Sequence, residues 1–263
     1  MMKRNKVVWI TGASSGLGRD LAIEASKQGY DVVLLARNRS KLHELKKEIE
    51  SNRGKAFVYQ LDISQTSMIE DKMNKIMQEV GQIDVLINNA GFGVFDKVEF
   101  ANMNDVEEMF SVNVVGLIAL SKAALSYMLR NNNGHGHIIN IASQAGKLST
   151  PKSSVYAATK HAVLGFTNGL RLELMDTNIH ISAVNPGPIK TPFFDRADQE
   201  GTYVKNVERW MLQSEEVARK TIQLIKKPKR ELNMPKWMNV GSTLYLLMPK
   251  AIERVAGKRL NQK

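Results

Sequence analysis

Short apolar segments alternate with amphipathic segments along the first 190 residues of this chain. The apolar segments are rich in Val, Ile and Leu with little polar alternation, and they lie at 6–11, 31–37, 56–62, 84–88, 136–143 and 180–185. Such runs are typical of strands that are covered on both faces, as in a parallel sheet. The amphipathic segments between them predict helices at 17–28, 39–51, 66–80, 103–130 and 154–176. This alternation predicts a single α/β domain, built as a doubly wound parallel β-sheet with helices on both faces.

The pattern changes after Asn185, because Pro186-Gly187-Pro188 ends the last regular strand. Residues 189–209 have mixed polarity and no clear period, which predicts a loop or an insertion of short helices. In an open α/β sheet, ligands bind at this carboxyl edge. A helical pattern resumes at 213–225, and 230–234 is a candidate for a short last strand.

Composition narrows the class of protein. Apolar residues make up 43% of the chain and charged residues 24%, which is ordinary for a folded globular domain. The chain has no Cys, which excludes disulfides, thiolate metal sites and a cysteine nucleophile, and we expect no metal site. The same absence favours a reducing compartment, so a cytoplasmic location is expected.

Positive charge is concentrated near the carboxyl end. The net charge is +11, of which residues 205–263 carry +9 and the first 204 residues carry +2. The first 204 residues are therefore nearly neutral overall, so nucleic acid is not an expected partner. The apolar run at 7–10 is too short for the core of a signal peptide, and no eighteen consecutive residues are apolar, so no membrane-spanning helix is expected.

A glycine-rich turn follows the first predicted strand. The sequence Thr11-Gly12-Ala13-Ser14-Ser15-Gly16-Leu17-Gly18 connects that strand to an amphipathic helix. Glycines let the backbone approach a pyrophosphate closely, and the N–H groups at the start of the helix face it. The pattern therefore favours a dinucleotide site, and the alternative is an ordinary strand-to-helix turn.

The end of the second predicted strand bears on which dinucleotide is bound. Dinucleotide sites usually place an acidic residue here to hold the ribose 2′-hydroxyl, but this chain has Arg37. An acidic side chain would repel a 2′-phosphate, whereas a guanidinium pairs with it. NADP(H) is therefore favoured over NAD(H), and the alternative is that Arg37 is simply a solvated loop residue.

Three polar residues near the middle of the chain form a candidate catalytic set. Tyr156 and Lys160 lie four residues apart in a predicted helix, so they share one face. A nearby ammonium group is expected to lower the pKa of a tyrosine, which makes the pair a plausible general acid and base. Ser143 ends the preceding strand and can hydrogen-bond a substrate oxygen; the alternative for Ser143 is a turn or helix-cap serine.

Taken together, these motifs resemble those of the short-chain dehydrogenase/reductase family, in its short single-domain branch. The matching pieces are Thr11 to Gly18, Asp62, Asn88-Asn89-Ala90-Gly91, Asn113, Ser143, Tyr156-x-x-x-Lys160, and Pro186-Gly187 followed by Thr191. They occur in the family's order and spacing over residues 5–195. The resemblance implies an NADP-binding Rossmann catalytic domain over 1–228, with a substrate segment at 188–212. Residues 229–263 would form a basic and apolar C-terminal extension of the same domain.

The resemblance also implies a role for each matching residue. Tyr156 would exchange a proton with the carbonyl or alcohol oxygen, Lys160 would lower its pKa, and Ser143 would orient the carbonyl group. Asn113 would hold a water that links Lys160 to solvent, and its alternative role is a core asparagine that bonds only backbone. The residues assigned to the cofactor are Gly12, Ser14, Ser15, Gly16, Leu17, Gly18, Arg37, Asp62, Ile63, Asn89, Ala90, Gly91, Tyr156, Lys160, Pro186, Gly187, Ile189 and Thr191.

The tail departs from the family pattern. Many members end in a last strand and a glycine-containing tail, and this ending is not evident in the sequence. The apolar run at 234–248 lies between basic residues. One interpretation is that it covers the substrate cleft or forms a subunit interface. The alternative is a peripheral membrane contact. The family implies a homo-oligomer and a small carbonyl or alcohol substrate, here expected to be apolar. The alternative to an enzyme is a nucleotide-binding redox sensor that has lost catalysis.

Overall fold

The fold, taken from a computed structural model that describes residues 4–131 and 134–260, is built on one parallel sheet. Its seven strands run in the order β3-β2-β1-β4-β5-β6-β7. The strands are β1 (Val7–Thr11), β2 (Asp31–Ala36), β3 (Ala56–Gln60), β4 (Val85–Asn88), β5 (His135–Ile141), β6 (Asn178–Pro186) and β7 (Glu231–Met234). The strand order reverses between β1 and β4, which places the binding crevice at the carboxyl ends of these strands.

Helices cover both faces of the sheet, as the sequence predicts. They are α1 (Gly16–Lys27), α2 (Arg39–Ser51), α3 (Ile69–Val80), α4 (Met103–Phe110), α5 (Leu117–Asn131), α6 (Ser154–Glu173), α7 (Phe193–Ala197), α8 (Thr202–Val207), α9 (Ser214–Lys226), α10 (Lys236–Leu247) and α11 (Pro249–Leu260). Apolar residues of α1, α2 and α9 form the core on one face, and those of α3, α5 and α6 form the core on the other. The fold is thus Rossmann-like, and the predicted architecture is confirmed.

The predicted helix at 103–130 is one continuous helical rod with an irregular centre. A π-helical segment, Ser111–Gly116, joins α4 to α5. A Cβ on Gly116 would lie 2.3 Å from the carbonyl oxygen of Ile63, so this close approach requires glycine. By length and composition 103–130 is also apolar enough to cross a membrane, although much of it is buried within the fold. Leu120, Ala124 and Met128 pack in the core, as in the central helices of globular domains.

The chain after β6 completes the sheet, which corrects the expectation that this ending is absent. The candidate strand at 230–234 is confirmed as β7, which pairs in parallel with β6 from Ala183 to Pro186. The segment of mixed polarity before it contains α7, α8 and a 3-10 turn at Glu208–Trp210. Beyond β7 the apolar run folds as α10, and α10 lies beside the crevice.

Candidate active site

One cavity of about 740 Å³ occupies the carboxyl edge of the sheet. Ser143 and all eighteen residues assigned to a cofactor from the sequence line this cavity. Asn113 is the single predicted site residue that does not line it, because it lies one layer deeper. Residues that are distant along the chain are therefore brought to one crevice, and their individual roles stay predictions.

The glycine turn between β1 and α1 leaves room for a group that approaches the backbone. Gly12 has φ +65°, and a Cβ there would lie 2.9 Å from the Cα of Ala90. A Cβ on Gly18 would lie 2.1 Å from the carbonyl oxygen of Gly12. Ser15 caps α1 without a side-chain hydrogen bond, so its side chain leaves the first N–H groups of the helix free for a ligand. This geometry fits a dinucleotide pyrophosphate.

Asn89 connects the glycine turn to the end of β4. Its Nδ2 donates to the carbonyl oxygen of Thr11 at 2.9 Å, and its backbone N–H donates to the Thr11 hydroxyl at 2.9 Å. The backbone N–H of Ala90 donates to the same hydroxyl. The side chain of Asn89 is thus occupied in holding two loops together, and only its remaining surface faces the cavity.

The far end of the cavity contains Arg37 and Asp62. Arg37 follows the last residue of β2, and 65% of its side chain is exposed. Its Nη1 lies 3.8 Å from Oε1 of Glu108 on α4, a partner that the sequence pattern does not indicate. Asp62 Oδ1 accepts hydrogen bonds from the backbone N–H and hydroxyl of Ser64, which fixes the carboxylate at the cavity wall.

Asn113 lies in the π-helical segment and is buried. Its Oδ1 accepts from the backbone N–H of Phe92 at 3.0 Å, and its Nδ2 donates to the Phe92 carbonyl oxygen at 2.8 Å and to the Thr159 hydroxyl at 3.2 Å. A Cβ added to Gly91 would lie 2.9 Å from Asn113 Oδ1 and 3.7 Å from Lys160 Nζ. The asparagine therefore orders the loop after β4 from a position close to Lys160, and most of its bonds are to backbone.

Ser143, Tyr156 and Lys160 meet at the centre of the crevice. Ser143 caps a 3-10 turn, Gln144–Gly146, where its hydroxyl accepts from the backbone N–H of Ala145. The same hydroxyl is close enough to Tyr156 to act on the pKa of its phenol. Ser143 is thus a cap residue and a member of the polar cluster at once. Lys160 Nζ donates to the carbonyl oxygen of Ile141 at 2.9 Å and lies 5.7 Å from the Tyr156 ring centroid.

The electrostatics of this pair differ from the expectation that lysine lowers the pKa of tyrosine. Burial raises the pKa of Tyr156 above its ordinary value; the hydrogen bond with Ser143 lowers it in part, and nearby Tyr203 raises it. Burial also lowers the pKa of Lys160, to about 8. The reason is desolvation, which disfavours the charged form of both groups when no ligand charge is present.

An aromatic wall packs against Tyr156. It consists of Phe95, Phe193, Phe194 and Tyr203, and the centroids of Phe95 and Phe193 lie 5.7 Å and 5.6 Å from that of Tyr156. None of these four residues is among the site residues predicted from the sequence. Two signals were available, because Phe95 follows the Asn-Asn-Ala-Gly motif closely and the Phe193-Phe194 pair follows Thr191.

Arg196 of α7 connects the segment that carries the aromatic wall to helix α4. Its guanidinium lies 3.7 Å above the ring of Phe92 and donates to both carboxylate oxygens of Glu108. It also donates to Asp105 at 3.2 Å. The substrate segment is therefore tied to α4 by charge, at the same glutamate that faces Arg37.

Lys147 ties the tail to the segment that follows Ser143. Its ammonium group donates to Glu231 at 2.5 Å, to Asn233 at 3.0 Å and to Asn239 at 2.8 Å. Burial raises the pKa of Glu231, but the contacts with Lys147 outweigh this effect and the net shift is downward. The position of α10 thus depends on a charged residue beside the catalytic set.

Several known proteins resemble this chain in sequence. The sequence profile of the short chain dehydrogenase family matches residues 6–201. An uncharacterized oxidoreductase from Staphylococcus epidermidis is 34% identical over 195 residues, which cover 74% of this chain and 83% of that protein. An NADP-dependent 3-hydroxy acid dehydrogenase from Schizosaccharomyces pombe is 39% identical over 191 residues, covering 72% of this chain and 73% of that protein.

Solved structures extend the likeness in fold to nearly the whole chain. A short chain dehydrogenase/reductase from Burkholderia phymatum, solved in complex with NAD, superposes with a TM-score of 0.85. The match covers 94% of this chain and 95% of that one at 24% identity. The shared fold therefore includes the region after residue 201, which the family profile does not reach.

Proposed function

Because this chain belongs to the short chain dehydrogenase family, we propose that it is an NADP(H)-dependent enzyme that interconverts a carbonyl and an alcohol, a reaction of the EC 1.1.1 type. Membership establishes an oxidoreductase with a dinucleotide fold. The cofactor preference, the acid and base, and the substrate class are the parts that we propose. The observation that carries the proposal is the position of Tyr156 and Ser143, where the glycine-lined half of the cavity meets the aromatic half.

The preference for NADP(H) rests on Arg37. Its guanidinium is exposed at the far end of the cavity, just after β2, where an acidic residue would repel a 2′-phosphate. The NADP-dependent relative from Schizosaccharomyces pombe supports the same preference. When bound, the cofactor would supply the hydride, and Gly12, Gly16 and Gly18 would receive its pyrophosphate.

Proton transfer is assigned to Tyr156. In reduction its hydroxyl would donate a proton to the carbonyl oxygen, and Ser143 would hold that oxygen through a second hydrogen bond. Lys160 Nζ, whose pKa burial lowers to about 8, holds a proton that it can release near neutral pH. Its hydrogen bond to the carbonyl oxygen of Ile141 holds the ammonium group beside Tyr156, with Nζ 5.7 Å from the ring centroid.

The substrate class follows from the aromatic wall. Phe95, Phe193, Phe194 and Tyr203 offer the face and edge contacts that favour apolar or aromatic groups. Leu148 and Met238 extend this apolar lining. We therefore propose a bulky apolar carbonyl or alcohol as the substrate.

The surroundings of the enzyme are also part of the proposal. We place it in the cytoplasm as a homo-oligomer, with contact between residues 229–263 and a membrane surface. Exposed apolar side chains on α4 and α5, among them Met103 and Ile118, provide area for subunit contacts.

A reductase screen tests the proposal directly. The purified protein is incubated with NADPH or NADH and a panel of apolar and polar carbonyl compounds, and loss of reduced-cofactor absorbance is recorded. We expect turnover of apolar carbonyls with NADPH and at least about tenfold poorer use of NADH, because one charge-assisted pair with phosphate contributes roughly 1.5–3 kcal/mol. The Arg37→Asp variant should reverse that order. Tight NADPH binding without turnover of any carbonyl or alcohol would instead favour a redox sensor.

A further inference from the structure

Helix α10 has two unlike faces, and only one of them faces the protein. Met238 and Ser242 lie on the inner face, where Ser242 is buried and a Cβ on Gly187 would lie 2.7 Å from Met238 Sδ. Trp237, Val240 and Leu244 lie on the outer face and are each about half exposed or more. The inner face packs against the crevice, whereas Val240 and Leu244 on the outer face do not line it and require a different explanation.

Trp210 extends this outer surface beyond the helix. Its ring meets that of Trp237 edge to face, with centroids 5.6 Å apart, although it comes from the 3-10 turn after α8. Both indole rings are about half exposed, and both line the cavity. We refer to Trp210, Trp237, Val240, Leu244 and Leu247 as the tail face.

Basic side chains border the tail face. Arg209 lies against the Trp210 ring, with its guanidinium carbon 4.9 Å from the ring centroid, and Lys236 begins α10. Lys250 and Arg254 are exposed on α11. The one acidic residue described on α10 or α11 is Glu253, and it accepts a hydrogen bond from Tyr245. Glu208 precedes Arg209 in the 3-10 turn, so the border carries four basic and two acidic side chains and is positive overall, in keeping with the +9 carried by residues 205–263.

We propose that the tail face docks reversibly on an anionic phospholipid bilayer. Apolar side chains with two tryptophans and flanking Lys and Arg form the pattern of a helix that lies in the membrane interface. Lipid headgroups of negative charge complement the basic border. The twelve residues of α10 are too few to span a bilayer, so the contact is peripheral.

Charge also argues against a second copy of the chain as the occupant. A two-fold interface places the same patch of each subunit against the other. Such a pairing of tail faces would bring two positive borders together, and this repulsion disfavours it. A bilayer surface with anionic lipid has the opposite sign.

The position of the tail face suggests a route by which an apolar substrate reaches the active site. Because Trp210 and Trp237 both belong to the tail face and line the cavity, the cavity opens toward the docked surface. An apolar substrate could then pass from the bilayer to Tyr156 without crossing water. This part of the inference rests on the proposed function, whereas the docking itself does not.

Tryptophan fluorescence tests the docking on the full chain. Trp9 is fully buried in β1, so a lipid-induced change reports on Trp210 and Trp237. The protein is titrated with vesicles of phosphatidylcholine alone or with phosphatidylglycerol added, at low and moderate salt. We expect a blue shift and co-sedimentation with the anionic vesicles, both weakened by salt. Vesicles carrying brominated lipid should quench the same fluorescence.

Matched variants locate the contact. Leu244→Asp with Leu247→Asp places two charges on exposed positions of the tail face and should lower vesicle partitioning by tenfold or more. The control is Leu172→Asp with Met175→Asp, two exposed apolar residues at the end of α6 and in the turn that follows it, and this variant should bind vesicles like the wild type. Size-exclusion chromatography and circular dichroism confirm that both variants fold.

Three outcomes would overturn the docking proposal: no binding to anionic vesicles at low salt, binding that the tail-face variant retains, or self-association that only the tail-face variant abolishes.

The route of the substrate from the bilayer to Tyr156 is tested separately. Its prediction is that the tail-face variant loses turnover of a vesicle-borne apolar carbonyl but keeps turnover of a water-soluble one, and equal loss of both contradicts it. If no carbonyl is reduced but vesicles still bind, the proposed function fails and the docking stands.

Discussion

Arg37 Nη1 lies 3.8 Å from Oε1 of Glu108, so the residue assigned to the cofactor phosphate already faces an anion. The same carboxylate is held by Arg196, whose hydrogen bonds contribute most to lowering the pKa of Glu108 below its usual value. Glu108 therefore stays ionised at neutral pH and stands between the cofactor end of the cavity and the substrate segment. It would oppose a 2′-phosphate that binds to Arg37.

Glu108→Gln should accordingly strengthen the binding of NADPH while leaving the affinity for NADH unchanged. Removing one charge near a dianionic phosphate at a largely exposed site should change Kd about threefold or more. Equilibrium binding of 2′,5′-ADP and 5′-AMP measures the effect without the nicotinamide end. Asp105→Asn is the control, because Asp105 also contacts Arg196, whereas the ion pair of Arg37 is with Glu108. If Glu108→Gln changes the Kd of 2′,5′-ADP and that of 5′-AMP by the same factor, Glu108 has no part in discriminating NADPH from NADH.

Tyr156→Phe should abolish turnover and keep cofactor binding within about threefold, since the ring remains and only the titrating hydroxyl is lost. The ring packs between Phe95 and Phe193, so the variant retains its contacts. Lys160→Ala should impair both turnover and cofactor binding. Steady-state kinetics and NADPH fluorescence measure the two effects. A Phe variant that turns over a genuine substrate at a near-normal rate would remove Tyr156 from the mechanism.

The buried ammonium of Lys160 predicts how stability depends on pH without cofactor. Its folded pKa of about 8 lies below the ordinary lysine value of about 10.4, so at neutral pH the proton on Lys160 opposes folding. As pH rises through the folded pKa this cost is relieved. Relative to Lys160→Met, the wild type should gain about 1–2 kcal/mol in free energy of unfolding between pH 7.5 and 9.5. Denaturant unfolding at several pH values measures this, and parallel pH profiles would contradict it.

Lys147→Met should destabilise the protein by about 1–3 kcal/mol, because the variant leaves Glu231 half-buried without its cation. The tail should also loosen, since Asn239 of α10 loses the same donor. Urea unfolding and limited proteolysis measure the two effects. Lys152→Met is the control: its contact with the exposed Glu200 at 3.5 Å should be worth under about 1 kcal/mol. Because Lys147 holds the pKa of Glu231 below the ordinary glutamate value, the effect of Lys147→Met should shrink as the pH falls below that ordinary value and Glu231 takes up a proton.

Most strands and helices, and the crevice where the motifs meet, could be predicted from local patterns in the sequence. Continuous apolar runs identified the first six strands and the major helices, because burial on both faces leaves a direct mark on composition. The glycine turn, Ser143 and the Tyr156 to Lys160 spacing could be assigned to one crevice, because parallel strands all end at the same edge. The boundaries were less accurate where a 3-10 turn precedes α3 and where α6 ends at Glu173.

The sheet, its helices and the edge where the motifs meet are thus encoded in the sequence, since each depends on the burial of a segment and its neighbours. The charge partners of Arg37, the aromatic wall around Tyr156 and the packing of the tail became evident from the folded structure alone. Glu108 reaches Arg196 across 88 residues, and Lys147 reaches Asn239 across 92. The pKa of Tyr156 likewise depends on how deeply the whole fold buries it. Desolvation and ion pairing act through distances in space, and no local pattern records those distances.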